Sequence, residues 1–141
     1  MRPGAWNAED DMAKKIGKNP INAHVLGLDY GTDSVRALVV RARDGREVAS
    51  AASAYPRWVK GLYCDPAQNQ FRQHPQDYLD SLALVTRAVL KTAKGLAPSI
   101  AAVGIDTTGS TPVAVDRQGT ALALKPEFSK NPNAMFVLWK D

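Results

Sequence analysis

Apolar positions along this chain gather in short runs that stop at polar turns. His24-Val25-Leu26-Gly27-Leu28-Asp29 ends at Asp29-Tyr30-Gly31-Thr32-Asp33, and Ser34 to Val40 resumes with β-branched residues, which predicts two strands. Asp44-Gly45 is a two-residue hairpin signal before a third strand over Arg46 to Tyr55, so the three runs form an antiparallel meander. Pro56 to Gln73 reads as a long loop. The period then changes: Pro75 suits a first helical position, Tyr78, Leu82, Val85 and Val89 recur at helical spacing as a core stripe, and Gly95 follows Lys91 and Lys94 as a stop. A helix is expected over Pro75 to Lys94. Ile100 to Asp106 is another buried-type strand, ending in Thr107-Thr108-Gly109-Ser110-Thr111. Pro112 to Asp116 continues as a strand and Arg117-Gln118-Gly119 turns. The tail Met135 to Trp139 has the look of a strand in need of a partner, which points to a piece of something longer.

The chain's 141 residues suit one domain, and 45% hydrophobic with 23% charged residues excludes collagen-like and wholly disordered classes. No apolar run reaches about 18 residues, so no transmembrane helix is expected. Residues 1–23 are mixed in charge and lack both an apolar h-region and a sustained period; they read as a disordered extension before a unit over 24–141. The net charge of +4 is scattered rather than concentrated, which argues against nucleic acid as a partner. The single cysteine, Cys64, has no internal disulfide partner, and two histidines make no zinc cluster, so a reducing, cytoplasmic setting is expected.

Two turns carry the candidate chemistry. In Gly27-Leu28-Asp29-Tyr30-Gly31-Thr32-Asp33-Ser34 a strand ending in Asp turns through Gly into a second strand. Backbone N–H groups at Gly31 and the hydroxyls of Thr32 and Ser34 can cradle phosphate oxygens, and the Asp29 carboxylate can hold Mg²⁺ through water. An ordinary hairpin whose Asp and Thr satisfy backbone donors uses the same residues. No Gly-Lys-Ser/Thr follows and the turn leads to a strand, which excludes a Walker loop. In the second turn, Thr108, Gly109 and Ser110 can hydrogen-bond a polyhydroxylated ligand, or simply bond their own backbone. Two polar strand-ends on neighbouring strands say more than either alone, because ligands of α/β sheets sit at strand ends.

These residues carry a family resemblance. Gly27 to Arg36 resembles the opening phosphate motif of the FGGY carbohydrate kinases of the actin/Hsp70 superfamily. The likeness continues through Tyr55-Pro56-Arg57-Trp58, Gln70 to Pro75, Gly104 to Pro112 and Asn131 to Asp141, and is greatest to the branch that phosphorylates ribulose. The resemblance implies an α/β, ribonuclease-H-like partial domain with a mixed sheet, an antiparallel meander and helices. It implies ATP and Mg²⁺ as cofactors and phosphorylation of ribulose or a related pentulose at its terminal hydroxyl, in arabinose breakdown. By the same resemblance Asp29 would assist Mg²⁺, Gly31, Thr32 and Ser34 would line the phosphate turn, and Thr108, Gly109 and Ser110 would lie beside the sugar. Trp139 and Asp141 match a segment near the sugar pocket. The family's general base is an Asp expected beyond Asp141, and its second domain supplies most of the adenine pocket, so the isolated chain is expected to be inactive. A non-catalytic sugar- or nucleotide-binding module and an interaction protein of the actin/Hsp70 type remain the alternatives, and the oligomeric state is left open.

Other residues read more plainly. Trp58, Tyr63 and Phe71 either pin the long loop to the core or wall a sugar site. Asp106 serves local structure rather than catalysis. Cys64 is an inert thiol, His24 is structural, and His74 caps the helix that follows it.

Overall fold

A computed structural model of the chain describes residues 22–141. Most of the expected disordered extension therefore lies outside the described residues. Its last residue does not behave as an extension, because the Ala23 carbonyl accepts from the Ala42 N–H at 2.9 Å.

β1 (His24–Tyr30), β2 (Ser34–Arg41) and β3 (Glu47–Ala54) form the expected antiparallel meander. β6 (Ile100–Thr107) lies along the other side of β1 and runs parallel to it, giving the order β3-β2-β1-β6. The fold is thus α/β with a mixed sheet. Alternation sets the faces: Leu26 and Leu28 of β1 and Val35, Ala37 and Val39 of β2 are buried on one side.

That side is covered by α2 (Pro75–Thr92). His74 is its N-cap, with Nδ1 accepting from the Gln76 N–H at 3.0 Å, and Pro75 occupies the first helical position, where no N–H is needed. Of the expected stripe, Val85 and Val89 are fully buried while Tyr78 and Leu82 pack half-buried against them. Burying a valine side chain contributes about 1.5–3 kcal/mol. Two polar residues share the buried face at the i, i+4 spacing. Ser81 Oγ donates to the Ala54 carbonyl at 3.1 Å. Asp77 accepts from the Arg57 N–H at 2.9 Å, the Trp58 N–H at 3.2 Å and Arg57 Nη1 at 2.6 Å.

The stretch expected to be a long loop is structured. It holds α1 (Pro56–Val59), β4 (Cys64–Asp65) and β5 (Gln70–Gln73), with a 3₁₀ turn at Pro66–Gln68. Pro66 and Gly61 broke the apolar pattern, but Asp65 caps the short turn by accepting from the Ala67 N–H, and Asp77 caps α1 from a distant helix. Pro112 to Asp116 is not a strand: only a single bridge, Val115 to Ala121, forms around the turn that Asp116 organises by accepting from the Gln118 and Thr120 N–H groups. The tail is a strand only at β7 (Phe136–Val137), which pairs antiparallel with β5. It already has its partner, with Met135 and Leu138 buried, so the tail is not the unpaired apolar end that its composition suggests.

One apolar strip stays open. Val103 and Ile105 of β6 stand in register with Leu26 and Leu28, yet are 55% and 66% exposed because α2 packs over β2 and β3. Among the described residues no helix is long and apolar enough to cross a membrane.

Asp77→Ala should remove about 3 kcal/mol of stability by urea unfolding, since it strands a partly buried guanidinium and two N–H groups. Ile105→Thr, at an open position, should stay within about 0.5 kcal/mol of the parent.

Candidate functional site

Parallel pairing of β1 with β6 brings the two polar turns side by side at one end of the sheet. Tyr30 is in register with Thr107, and the Thr108 N–H and Oγ1 both donate to the Tyr30 carbonyl, at 3.0 and 3.1 Å. The Gly31 N–H donates to Ser34 O at 3.0 Å, closing the first turn. A Cβ at Gly31 would meet only Ser34 O, at 3.5 Å, and one at Gly109 would meet nothing within 4 Å. Neither glycine is demanded by packing or by a positive φ, so the bare backbone at both turns leaves room on the solvent side. Ser110 holds a left-handed φ of 52°, a strained conformation of the kind that clusters at functional turns.

The side chains divide between the two faces of the sheet. Asp29 points away from α2, forms an ion pair with its cross-strand neighbour Arg36 at 3.0 Å, and borders a groove of about 470 Å³ with Leu38, Glu47 and Ser50. Asp106 is its register neighbour on β6 and therefore shares that face, where it also accepts from the Thr107 N–H at 2.9 Å. Thr108 opens on the α2 face, into a pocket of about 220 Å³ lined by Tyr30, Tyr78, Thr107, Thr111 and Phe136. The structure thus brings the two turns together but sets Asp29 and Thr108 on opposite sides of the strands that carry them.

Among the described residues no group of three His, Cys, Asp or Glu forms a metal cluster. Mg²⁺ commonly takes one or two carboxylates and fills its remaining positions with water and phosphate oxygens. Asp29 with Asp106 fits that donor set on one face, provided the Arg36 guanidinium yields.

Trp139 and Asp141 stand apart from the pocket. Trp139 is 63% exposed. Asp141 is engaged by the Arg72 guanidinium, with Nη2 at 2.8 Å, and by the Phe71 N–H at 2.8 Å, and this pairing holds its carboxyl below the ordinary value of 3.8. Lys140 lies over the Trp58 ring at 5.0 Å and the Phe71 ring at 4.6 Å. The loop aromatics therefore fasten chain to chain: Trp58 Nε1 donates to Asp33 Oδ1 at 2.7 Å, and Tyr63 packs on the small core of Ala123, Ala134 and Met135.

Sequence reasoning missed the residues that brace the first turn. Tyr55, fully buried, donates through its hydroxyl to Gly31 O at 3.1 Å. Gln73, 1% exposed, donates through Nε2 to Thr32 O at 2.6 Å. A glutamine just before a helix start reads as surface, and only the fold shows it aimed inward. Tyr30, Tyr78 and Phe136, which wall the pocket, carried no local signal beyond apolar spacing.

No family model matches the chain. It is 60% identical over 124 residues to a ribulokinase of Vibrio parahaemolyticus, 38% over 122 residues to a ribulokinase of Geobacillus thermodenitrificans, and 36% over 122 residues to a ribulokinase of Anoxybacillus flavithermus. These matches take in 87%, 83% and 83% of this chain and 22% of each relative.

His74, next to Gln73, supplies a pH test. Its Nε2 faces Ser129 O at 3.1 Å and its Nδ1 accepts from the Gln76 N–H, which assigns the neutral ring with the proton on Nε2. Burial, then the Arg57 charge, pushes its pKa below 6.5. The unfolded chain therefore takes up this proton first as pH falls. The contribution of neutral His74 is full above about pH 6.5 and drains away as pH drops towards the folded value. Urea midpoints should fall between about pH 7.5 and about pH 5.5, and His74→Asn, which keeps a capping side chain, should flatten that slope.

Over most of its residues this chain is homologous to a stretch of bacterial ribulokinases, and it spans about a fifth of the length of those relatives.

Proposed function

We propose that this chain is part of an ATP-dependent pentulose kinase of the FGGY family, with a ribonuclease-H-like fold, acting on ribulose at its terminal hydroxyl in arabinose breakdown in the cytoplasm. The observation that carries this reading is the 60% identity to a ribulokinase over 124 residues. A match of that length leaves too few residues outside it to miss either turn.

In this reading the Gly31 to Ser34 turn receives phosphate oxygens at its bare backbone, with the Thr32 and Ser34 hydroxyls beside it. Asp29, with Asp106 as its neighbour, holds Mg²⁺ through water, and the bound ion supplies charge neutralisation on the transferred phosphoryl group. Thr108, Gly109 and Ser110 face the sugar, whose apolar face meets Tyr30, Tyr78 and Phe136. Trp139 and Asp141 act in this reading from outside the pocket, through the Phe71 and Arg72 segment that Asp141 secures.

Phosphoryl transfer needs acceptor and donor held in line and shielded from water. The Asp29 face and the Thr108 pocket are open and lie on opposite sides of β1 and β6, so these residues alone do not assemble that arrangement. The chain by itself therefore binds without turning over. A second reading, a non-catalytic sugar-binding module, draws on the same hydroxyl-and-aromatic pocket around Thr108.

A coupled ADP-release assay with ribulose and Mg·ATP should give no turnover for the chain alone; turnover at the level of a complete kinase would refute this. Calorimetric titration should show ribulose heat that Thr108→Val removes. Heat that survives that substitution would take the sugar away from this turn.

A further inference from the structure

We infer that Gln73 makes the Gly31 to Ser34 turn selective for anions, by holding inward a carbonyl that would otherwise face an arriving phosphate. An account of the turn's acceptors leads there. Gly31 O accepts from the Tyr55 hydroxyl at 3.1 Å and Thr32 O from Gln73 Nε2 at 2.6 Å. Asp33 O accepts from the Tyr55 N–H at 3.2 Å and Ser34 O from the Gly31 N–H at 3.0 Å. Every carbonyl of the turn is thus engaged by a donor of the chain itself. The Asp33 carboxylate is likewise held, by Trp58 Nε1 at 2.7 Å. The Thr32 and Asp33 N–H groups, by contrast, meet no acceptor among the described residues. The backbone of the turn offers donors and withholds acceptors, which favours an oxyanion over a hydroxyl or a cation.

Tyr55 and Gly31 belong to the strand meander and its turn, whereas Gln73 arrives from β5. Its amide has one workable orientation. A carbonyl only accepts, so Nε2 faces Thr32 O, and Oε1 is left to accept from the Tyr78 hydroxyl at 2.7 Å. Gln73 is buried, so no water replaces its N–H cheaply. Without that donor the Thr32 carbonyl regains a partner by turning to solvent, on the side where phosphate oxygens approach.

Gln73 is accordingly a positioning residue, and its purpose rests on the kinase reading, in which this turn takes phosphate. NMR titration of the full chain with inorganic tripolyphosphate tests it. The Thr32 and Asp33 amide signals should shift, and Gln73→Met, similar in length but without a donor, should raise the Kd read there about fivefold, the order of one hydrogen bond. Ribulose heat should change by less than about twofold in the same variant. Ser81→Ala, which removes a buried α2 hydroxyl outside the turn, should leave both within about twofold. An unchanged Kd, equal weakening of both ligands, or a parent chain whose turn takes no tripolyphosphate would overturn the assignment. If Gln73→Met does not fold, Tyr55→Phe decides: it frees Gly31 O in the same way and should give the same selective loss, whose absence overturns the assignment as well. The pentulose reading is tested separately, by ribulose heat and turnover, so either can fail alone.

Discussion

The arrangement of this molecule depends on β1 having neighbours of opposite direction. Antiparallel pairing with β2 makes Gly31 to Ser34 a tight connection at the end of β1. Parallel pairing with β6 delivers Thr107 to Thr111 to that same end, after α2 has carried the chain back along the sheet. An antiparallel β6 would have sent its C-terminal turn to the far edge. Register finishes the placement, since Tyr30 opposite Thr107 lets Thr108 bond the Tyr30 carbonyl twice.

Strand alternation imposes a division on that shared end. Asp29 and Asp106 fall on one face, Tyr30 and Thr107 on the other, because successive side chains on a strand point to opposite sides, and Thr108, just past the end of β6, lies on the Tyr30 side. The acidic face borders a groove beside β2 and β3, while the hydroxyl-and-aromatic face is walled by Tyr78 of α2 and Phe136 of β7. Two chemically distinct half-sites thus occupy one edge of a single sheet.

Polar groups, Asp77 and Gln73 buried and Asp141 at the surface, fasten the parts that apolar packing leaves loose. Asp77 ties α1 to α2, Gln73 ties the end of β5 to the first turn, and Asp141 ties the end of the tail to β5. Each is satisfied, and among the described residues no buried side-chain nitrogen or oxygen lacks a partner. Such groups specify a unique arrangement because any shift leaves them unpaired in a medium of low dielectric.

The sequence alone determined the regular elements whose signals are local. β1, β2, β3, α2 and β6 lie within two residues of the boundaries their periodicity and turn residues predict, and the His74 cap follows from its place before Pro75. Both polar turns were legible for the same reason, since glycine and hydroxyl residues at the end of an apolar run act on their own neighbours. Tertiary structure decided what depends on distant partners. β4, β5 and β7 are too short to declare a period and exist through pairing with one another. Gln73 and Asp77 carry no local signal of their burial, which only the fold around them creates. That Asp29 shares one side of the sheet with Asp106, and Tyr30 the other with Thr107, is a matter of register, a relation between strands some 80 residues apart that no single segment contains.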